Sequence, residues 1–189
     1  MEYFVFKIED CEKAFGIDKS LSRPKQISLL AKQQLLSIIK EKGLSFDTTI
    51  AVGEKGKPYF LYNENLHFSI SHTNSHIAIA LHDKEIGIDI ESLRKCNLSL
   101  VERFFNPLES DYISSQPKEQ QSEVFTRIWT LKEAFVKQQG TGIAGNFDKS
   151  AFSLQGEKIQ STIENPNLKF ESKYIEQENL YLAICYLEN

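Results

Sequence analysis

The chain has 189 residues, of which 41% are hydrophobic and 25% charged, which is typical of a globular protein with one large domain or two small lobes. Its formal net charge of −4 excludes the overall positive field of a duplex-binding protein, so an anionic ligand would need locally placed lysines or arginines. The N-terminal segment resembles neither a signal peptide nor a membrane span, and the three cysteines form no CxxC pair, so we expect a cytoplasmic protein that contacts neither nucleic acid nor membrane.

The first half of the chain predicts one strand, one helix and then a run of short strands. Residues 2–8 alternate as a strand does, and residues 24–43 carry apolar side chains at helical spacing up to Gly43. A Gly-Lys-Pro turn precedes an aromatic strand, and three short alternating segments follow, joined by short turns. These three segments predict an antiparallel meander, over residues 66–72, 75–83 and 85–91.

The second half repeats this layout in outline. Asn106, Pro107 and Glu109 form a capping-box pattern that predicts a helix start, and a longer helix is predicted from about residue 119 to 139, ended by Gly140. Four alternating segments follow to the C-terminus. The predicted fold class is α+β, with two similar lobes at residues 1–88 and 89–189, each a helix packed on a small antiparallel sheet. No linker separates them, so we expect one compact unit with the active site at the junction.

Two acids lie in the last segment of the predicted meander, in the sequence EIGIDIESL. Because a strand alternates its side chains, Asp89 and Glu91 share one face and three isoleucines occupy the other. Two carboxylates at that spacing repel each other unless a cation lies near them, and their oxygens suit a hard ion such as Mg²⁺. The alternative is an edge strand with a solvated polar face, which this segment alone favours.

The long helix offers a third acid. Trp129, Glu133 and Lys137 follow one another at intervals of four residues, roughly opposite an apolar stripe. Glu133 and Lys137 could form an ordinary exposed ion pair, but a tryptophan on the same side indicates that this face is covered. A covered face with an acid and a lysine needs charged partners, and the strand with Asp89 and Glu91 could supply them through a shared metal ion.

These segments together resemble the 4′-phosphopantetheinyl transferase superfamily, in particular its larger, two-lobed type. GIDIE at 87–91 and WTLKEAFVKQQGTGI at 129–143 are similar to the paired signature of that family, G-(I/V)-D-(I/V)-E and W-x-x-K-E-(A/S)-x-x-K-x-x-G-x-G. GKPYF at 56–60 and FSISHT at 68–73 match two further elements in the family's order. The resemblance implies the fold of that family, in which a pseudo-twofold relates the two lobes.

The resemblance implies a reaction and roles for the residues. The phosphopantetheine arm of coenzyme A would be transferred to a serine of an apo acyl or peptidyl carrier protein, with release of adenosine 3′,5′-bisphosphate. Asp89, Glu91 and Glu133 would hold the Mg²⁺ ion, which neutralises diphosphate oxygens. Glu133 is also the candidate general base, and Lys137 would bond a diphosphate oxygen and stabilise the leaving phosphate.

Other residues would hold coenzyme A. By resemblance, Ser71 and His72 would contact the nucleotide phosphates, and Lys57 and Pro58 would line the adenine side. The family's larger members carry an arginine in or just before the first helix that meets the 3′-phosphate; here that helix has no internal arginine, and Arg23 or Lys25, ahead of it, is the candidate. Lys132 lies between the two helix faces, where structural and ligand-binding roles are equally compatible with the spacing.

Two other functions remain open from the sequence. The chain could be another Mg²⁺-dependent nucleotide or diphosphate enzyme that shares only the three acids, or a non-catalytic module that binds carrier proteins or coenzyme A. For the transferase itself, both lobes in one chain predict a monomer. Arg94 and Lys95 lie directly after the acid pair, where an acidic carrier protein could dock.

Overall fold

The structure is a computed structural model, and it describes residues 1–142, 147–156 and 158–188. The elements of the first half are β1 (Glu2–Lys7), α1 (Ile8–Phe15), α2 (Arg23–Glu41), β2 (Ile50–Val52), β3 (Pro58–Phe60), β4 (His67–His72) and β5 (His76–His82). Those of the second half are β6 (Ile86–Ser92), α3 (Leu98–Phe104), α4 (Pro107–Ser115), α5 (Lys118–Gln139), β7 (Phe152–Gln155), β8 (Lys158–Ser161), β9 (Leu168–Ile175), the 3₁₀ turn Glu176–Glu178 and β10 (Leu180–Leu187).

Each half builds a three-stranded antiparallel sheet with a long helix against it. In the first lobe the strand order is β1-β5-β4, and α2 buries its apolar side on this sheet. In the second lobe the order is β6-β10-β9, and α5 packs on one face of that sheet. The predicted fold class, α+β with two similar helix-on-sheet lobes, is therefore confirmed.

The two sheets meet through a layer of small and branched side chains. Ala78 and Ala80 of β5 belong to one buried cluster with side chains from β6 and β10, all 0–1% exposed: Ile86, Ile88, Ile90, Leu180, Leu182 and Ile184. Alanines let the sheets approach closely, and the isoleucines fill the space between them. The layers thus run α2, first sheet, second sheet, α5.

The β6 strand corrects one prediction. It was expected to be the third strand of a meander, but it pairs along its length with β10 and not with β5. The reason is that strand alternation does not specify which sheet a strand joins. The boundary between the lobes at residues 88 and 89, which lies within this strand, stays a prediction.

Local predictions at the helix ends agree with the structure. The Asn106 side chain accepts from the Leu108 backbone N–H while Glu109 bonds the Asn106 backbone, which is the predicted capping box. Helix α5 ends at Gly140, whose φ of 65° is left-handed, as a glycine cap allows. The helix α1 was not predicted, because an amphipathic helix of only eight residues directly after β1 gives little periodic signal.

Candidate active site at the crossing of α5 and β6

The polar face of β6 lies under helix α5. Asp89 pairs with Ala183 and Gly87 with Cys185, and both of those β10 side chains belong to the core cluster beneath α5. The isoleucines of β6 face the other sheet, so the alternation predicted for this strand is observed. Strand β4 approaches from the side, where the Ser69 hydroxyl oxygen accepts a bond from the Ile88 N–H at 3.1 Å.

Asp89 is the centre of a three-way polar contact. Its side chain is 5% exposed, and its Oδ1 accepts bonds from Ser71 Oγ and Lys137 Nζ, both at 2.7 Å. Lys137 Nζ also donates to Ser71 Oγ at 2.9 Å. These bonds bring together β4, β6 and α5, and they join three residues that the sequence placed in one site.

The other Asp89 oxygen and two nearby acids create an excess of negative charge. Asp89 Oδ2 is buried without a hydrogen-bond partner. Burial, with the charges of Asp89 and Glu91, raises the pKa of Glu133 to about 7, and burial and Asp89 raise the pKa of Glu91. Burial is the larger cause of both shifts, and repulsion from the neighbouring carboxylates adds to it.

The described side chains near the carboxylates of Asp89, Glu91 and Glu133 include two cations, Lys137 and Arg94, so the positive charges are one too few to balance the three acids. No three His, Cys, Asp or Glu side chains in the described ranges already stand in a metal-binding arrangement. The unpartnered Asp89 oxygen and the mutual repulsion of the acids nevertheless fit a hard divalent cation, which oxygen ligands prefer.

Arg94 has a different place from the one predicted. Its Nη1 donates to Glu91 Oε1 at 3.0 Å, and its guanidinium lies 4.5 Å from the centre of the Trp129 ring. The Thr126 hydroxyl holds the Arg94 backbone at both its N–H and its carbonyl. Arg94 therefore belongs to the acid cluster, and 36% of its side chain stays exposed.

A cavity of about 230 Å³ opens beside this cluster. Four residues predicted to act in the site line it, together with the glycines that follow α5: Lys57, Pro58, Glu133, Lys137, Gly140 and Gly142. The Lys57 ammonium, however, bonds the Glu85 carboxylate and the carbonyl oxygens of Ile86 and Gln138, each of the latter at 3.1 Å. Its three N–H groups are thereby used, so Lys57 presents its aliphatic stem to the cavity.

His72 and the two basic candidates ahead of α2 occupy different places. His72 lies at the end of β4, where partial burial of its ring and the charge of Lys137 lower its pKa. Arg23 forms an ion pair with Glu12 and lines a separate cavity with His76 and other residues, so the structure does not bring it to Glu133. Lys25 lies exposed on the first turn of α2.

The structure settles the position of Lys132. Its ammonium donates to Glu109 Oε2 and to the Ser150 carbonyl, both at 2.7 Å, and both charged side chains are completely buried. Lys132 thus has a structural position, away from the cavity. Glu109 also accepts from the Phe152 N–H, a partner that no local sequence pattern could have indicated.

The comparisons with known proteins agree with the motifs. The model of the 4′-phosphopantetheinyl transferase superfamily matches residues 85–185, more than half of the chain. The chain belongs to this superfamily. A 4′-phosphopantetheinyl transferase of Bacillus subtilis is 35% identical over 146 residues, which cover 76% of this chain and 63% of the relative. AcpT of Escherichia coli K12 is 36% identical over 165 residues, covering 86% of this chain and 76% of that protein.

A third match within the superfamily is Sfp of Bacillus subtilis strain 168, 32% identical over 121 residues that cover 64% of this chain and 54% of Sfp. The chain spans between 48% and 63% of the length of the first Bacillus relatives it matches. In the part of the chain that the structure describes, none of the helices combines the length and apolar content that crossing a bilayer requires.

Proposed function

We propose that this chain transfers 4′-phosphopantetheine from coenzyme A to a serine of an apo acyl or peptidyl carrier protein and releases adenosine 3′,5′-bisphosphate. The observation that carries the proposal is buried Asp89, with one unpartnered oxygen, close to Glu91 and to Glu133 and Lys137, the last two of which line the cavity. Membership of the superfamily supports the same reaction class.

In this proposal Asp89, Glu91 and Glu133 hold a Mg²⁺ ion. When bound, the ion would neutralise the oxygens of the coenzyme A diphosphate and so favour attack by a nucleophile on phosphorus. Asp89 supplies its unpartnered Oδ2, while its Oδ1 stays fixed by Ser71 and Lys137. The Arg94 contact orients one oxygen of Glu91 and leaves the second available.

The other side chains bind the nucleotide and move the proton. Lys137 donates to a diphosphate oxygen and stabilises the charge on the leaving phosphate, because a charge-assisted bond strengthens as that charge develops. Ser71 and His72 contact the nucleotide phosphates, and the stem of Lys57 with Pro58 covers the adenine. The serine oxygen bonds to the phosphorus that carries the pantetheine arm, the diphosphate P–O bond breaks, and Glu133 accepts the serine proton.

For the 3′-phosphate we favour Lys25 over Arg23, because the Arg23 guanidinium is already paired with Glu12. A monomer in the cytoplasm belongs to the same proposal. Both lobes contribute to one cavity, and the three thiols are free, which suits a reducing compartment.

The deciding experiment is mass spectrometry of an apo carrier protein incubated with this protein, coenzyme A and Mg²⁺. We expect the carrier to gain the mass of one phosphopantetheine arm, and a carrier with its acceptor serine changed to alanine should gain none. Unmodified carrier despite measurable binding of coenzyme A or carrier would favour a binding module. Turnover of another diphosphate, with no carrier modified, would favour a different Mg²⁺-dependent enzyme.

A further inference from the structure

Gly87 lies where helix α5 crosses strand β6, and the crossing leaves no room for a side chain. A Cβ atom at this position would stand 1.9 Å from the Ala134 carbonyl oxygen and 2.4 Å from the Gln138 amide nitrogen. Ordinary contacts of a Cβ begin at about 3.4 Å, and both atoms belong to the backbone of α5, which cannot rotate aside. Any larger residue would therefore push the helix away from the strand by more than an ångström.

Space alone, and not backbone conformation, requires this glycine. Gly87 is not among the described glycines with positive φ, so any residue could adopt its backbone angles. Four other glycines show the opposite case, since they have positive φ and nothing within 4 Å of a Cβ: Gly16, Gly43, Gly56 and Gly156.

A second contact ties the same two elements together. The Lys57 ammonium donates to the Ile86 carbonyl on β6 and to the Gln138 carbonyl on α5, each at 3.1 Å. Ile86 immediately precedes Gly87, and Gln138 supplies one of the atoms that the absent Cβ would meet. The close approach is thus bridged by a charged side chain that is only 18% exposed.

The separation of α5 from β6 decides the geometry of the acid cluster. Asp89 and Glu91 lie two and four residues beyond Gly87 on the same face of the strand, and Glu133 and Lys137 each precede one of the two crossing residues on the helix. A Mg²⁺ ion accepts oxygen ligands only at about 2.0–2.1 Å, so a shift of an ångström between the two elements breaks a shared site.

We propose that Gly87 and Lys57 are positioning residues that set the distance between α5 and β6 at which Glu133 can share a divalent cation with Asp89 and Glu91. The inference rests on the proposed function for its cation. Neither residue touches the ion; Gly87 permits the approach and Lys57 holds it.

The first test is structural and needs no metal. A crystal structure of Gly87→Ala should show residues 133–137 displaced from Asp89 and Glu91 by about 1 Å or more, with the β6–β10 pairing intact. Ile88→Val, on the same strand but on the opposite face, is the matched control and should leave α5 in place. An unchanged α5–β6 distance in Gly87→Ala would overturn the inference whatever the function.

The second test measures Mg²⁺ binding alone, by calorimetry and by the thermal shift that the metal produces. We expect Gly87→Ala to weaken Mg²⁺ binding about 10- to 100-fold, the range for residues that orient ligands, and Lys57→Met to weaken it more than about twofold. Lys84→Met is the control for Lys57, because Lys84 lies in the neighbouring turn and bonds the Glu188 carbonyl instead of α5. Wild-type affinity in both crossing variants would contradict the inference and leave the proposed function intact.

Failure of the function gives a different result. If wild-type protein and Asp89→Ala bind Mg²⁺ equally weakly, the proposed metal site is wrong, and with it the cation part of this inference, while the crystal structure still decides the spacing. If Gly87→Ala yields no folded protein, the comparison of Mg²⁺ binding by Lys57→Met and by Lys84→Met decides the binding test by itself.

Discussion

Helix α5 carries two lysine–carboxylate pairs with the same 2.7 Å separation and opposite surroundings. Lys132 and Glu109 are completely buried, and Glu109 also accepts from the backbone of Asn106 and Phe152. Lys137, five residues further along the helix, pairs with Asp89 of β6, and its side chain is 28% exposed and lines the cavity. The first pair is enclosed on every side, whereas the lysine of the second borders the cavity.

The two pairs differ in whether any of their hydrogen-bonding atoms remains without a partner. The buried pair joins α4, α5 and the segment before β7, and three aromatic rings lie within 6.0 Å of the ammonium: Phe105, Phe147 and Phe152. The second pair leaves Asp89 Oδ2 without a partner and has two further acids beside it. A charged pair whose hydrogen-bonding atoms all have partners stabilises the fold, whereas a pair with an unpartnered atom can bind a ligand.

The largest effect should come from breaking the buried pair. Lys132→Met should lower the free energy of unfolding by about 3–5 kcal/mol, because it leaves the Glu109 carboxylate buried without its cation. Urea unfolding, followed by the fluorescence of the single tryptophan, would measure this loss.

The matched control is Lys137→Met in the second pair. Lys137→Met should lower the free energy of unfolding by less than Lys132→Met does, because the Lys137 side chain is 28% exposed and Asp89 keeps its bond from Ser71. Adding Glu109→Gln to Lys132→Met should recover much of the loss, because the amide keeps an acceptor and carries no charge. Equal destabilisation by the two lysine variants would remove the distinction between the pairs.

Asp89→Ala should have the next largest effect, on activity and not on stability. We expect transfer to fall by at least about 100-fold, because in the proposed site this residue would supply an oxygen to the metal, and its Oδ1 fixes both Ser71 and Lys137. The folded protein should persist, and without metal it should be as stable or more stable, since repulsion with Glu91 and Glu133 is relieved.

Carrier modification under saturating Mg²⁺ is the measurement, with circular dichroism as a check of folding. A near-normal rate would exclude Asp89 from the metal site. A rate loss that only accompanied unfolding would assign Asp89 to the fold, as for Lys132.

Lys137→Ala should give the third effect, a loss of roughly 10-fold or more in transfer rate. A charge-assisted bond to a phosphate oxygen contributes roughly 1.5–3 kcal/mol, whereas a surface ion pair contributes little and would leave activity unchanged. Single-turnover measurements with saturating coenzyme A would separate the chemical step from binding. An unimpaired rate would show that Lys137 serves only as a partner of Asp89.

The sequence predicted the elements better than their assembly. The period of α5, its Gly140 end, the Asn106 capping box and the alternation of β6 all depend on neighbouring residues, so they were visible in the sequence. The sheet that β6 joins was not, because β10 lies some ninety positions further along the chain. The alternation of side chains along β6 predicted which of them share a face, but it could not predict the strand with which β6 pairs.

The candidate site shows the same division. Asp89, Glu91, Glu133 and Lys137 were grouped through their motifs, and the structure brings them together. Lys132 could not be assigned, because its partner Glu109 lies on a different helix, α4. The Lys57 contacts could not be predicted either, because its ammonium donates to backbone carbonyls, which carry no sequence signal. Arg94 looked like a surface residue because its two partners, Glu91 and Trp129, belong to different elements.

The smallest expected effect concerns the surface where the carrier protein would dock. With Arg94 held in the acid cluster, the exposed cations of this segment are Lys95 and Arg103, near Leu98, which is 52% exposed. Since carrier proteins are generally acidic and this chain has a net charge of −4, attraction must come from such a local patch.

Lys95→Glu combined with Arg103→Glu should therefore raise the KM for the carrier by roughly three- to tenfold, more at low ionic strength, because reversed rim charges slow encounter over a distance that salt screens. The KM for coenzyme A should not change. Lys40→Glu with Lys158→Glu alters the net charge equally on exposed positions elsewhere, so it controls for the overall field. Steady-state kinetics at two ionic strengths measures both variants, and an unaltered carrier KM in the first, or an equal rise in both, would place docking on another surface.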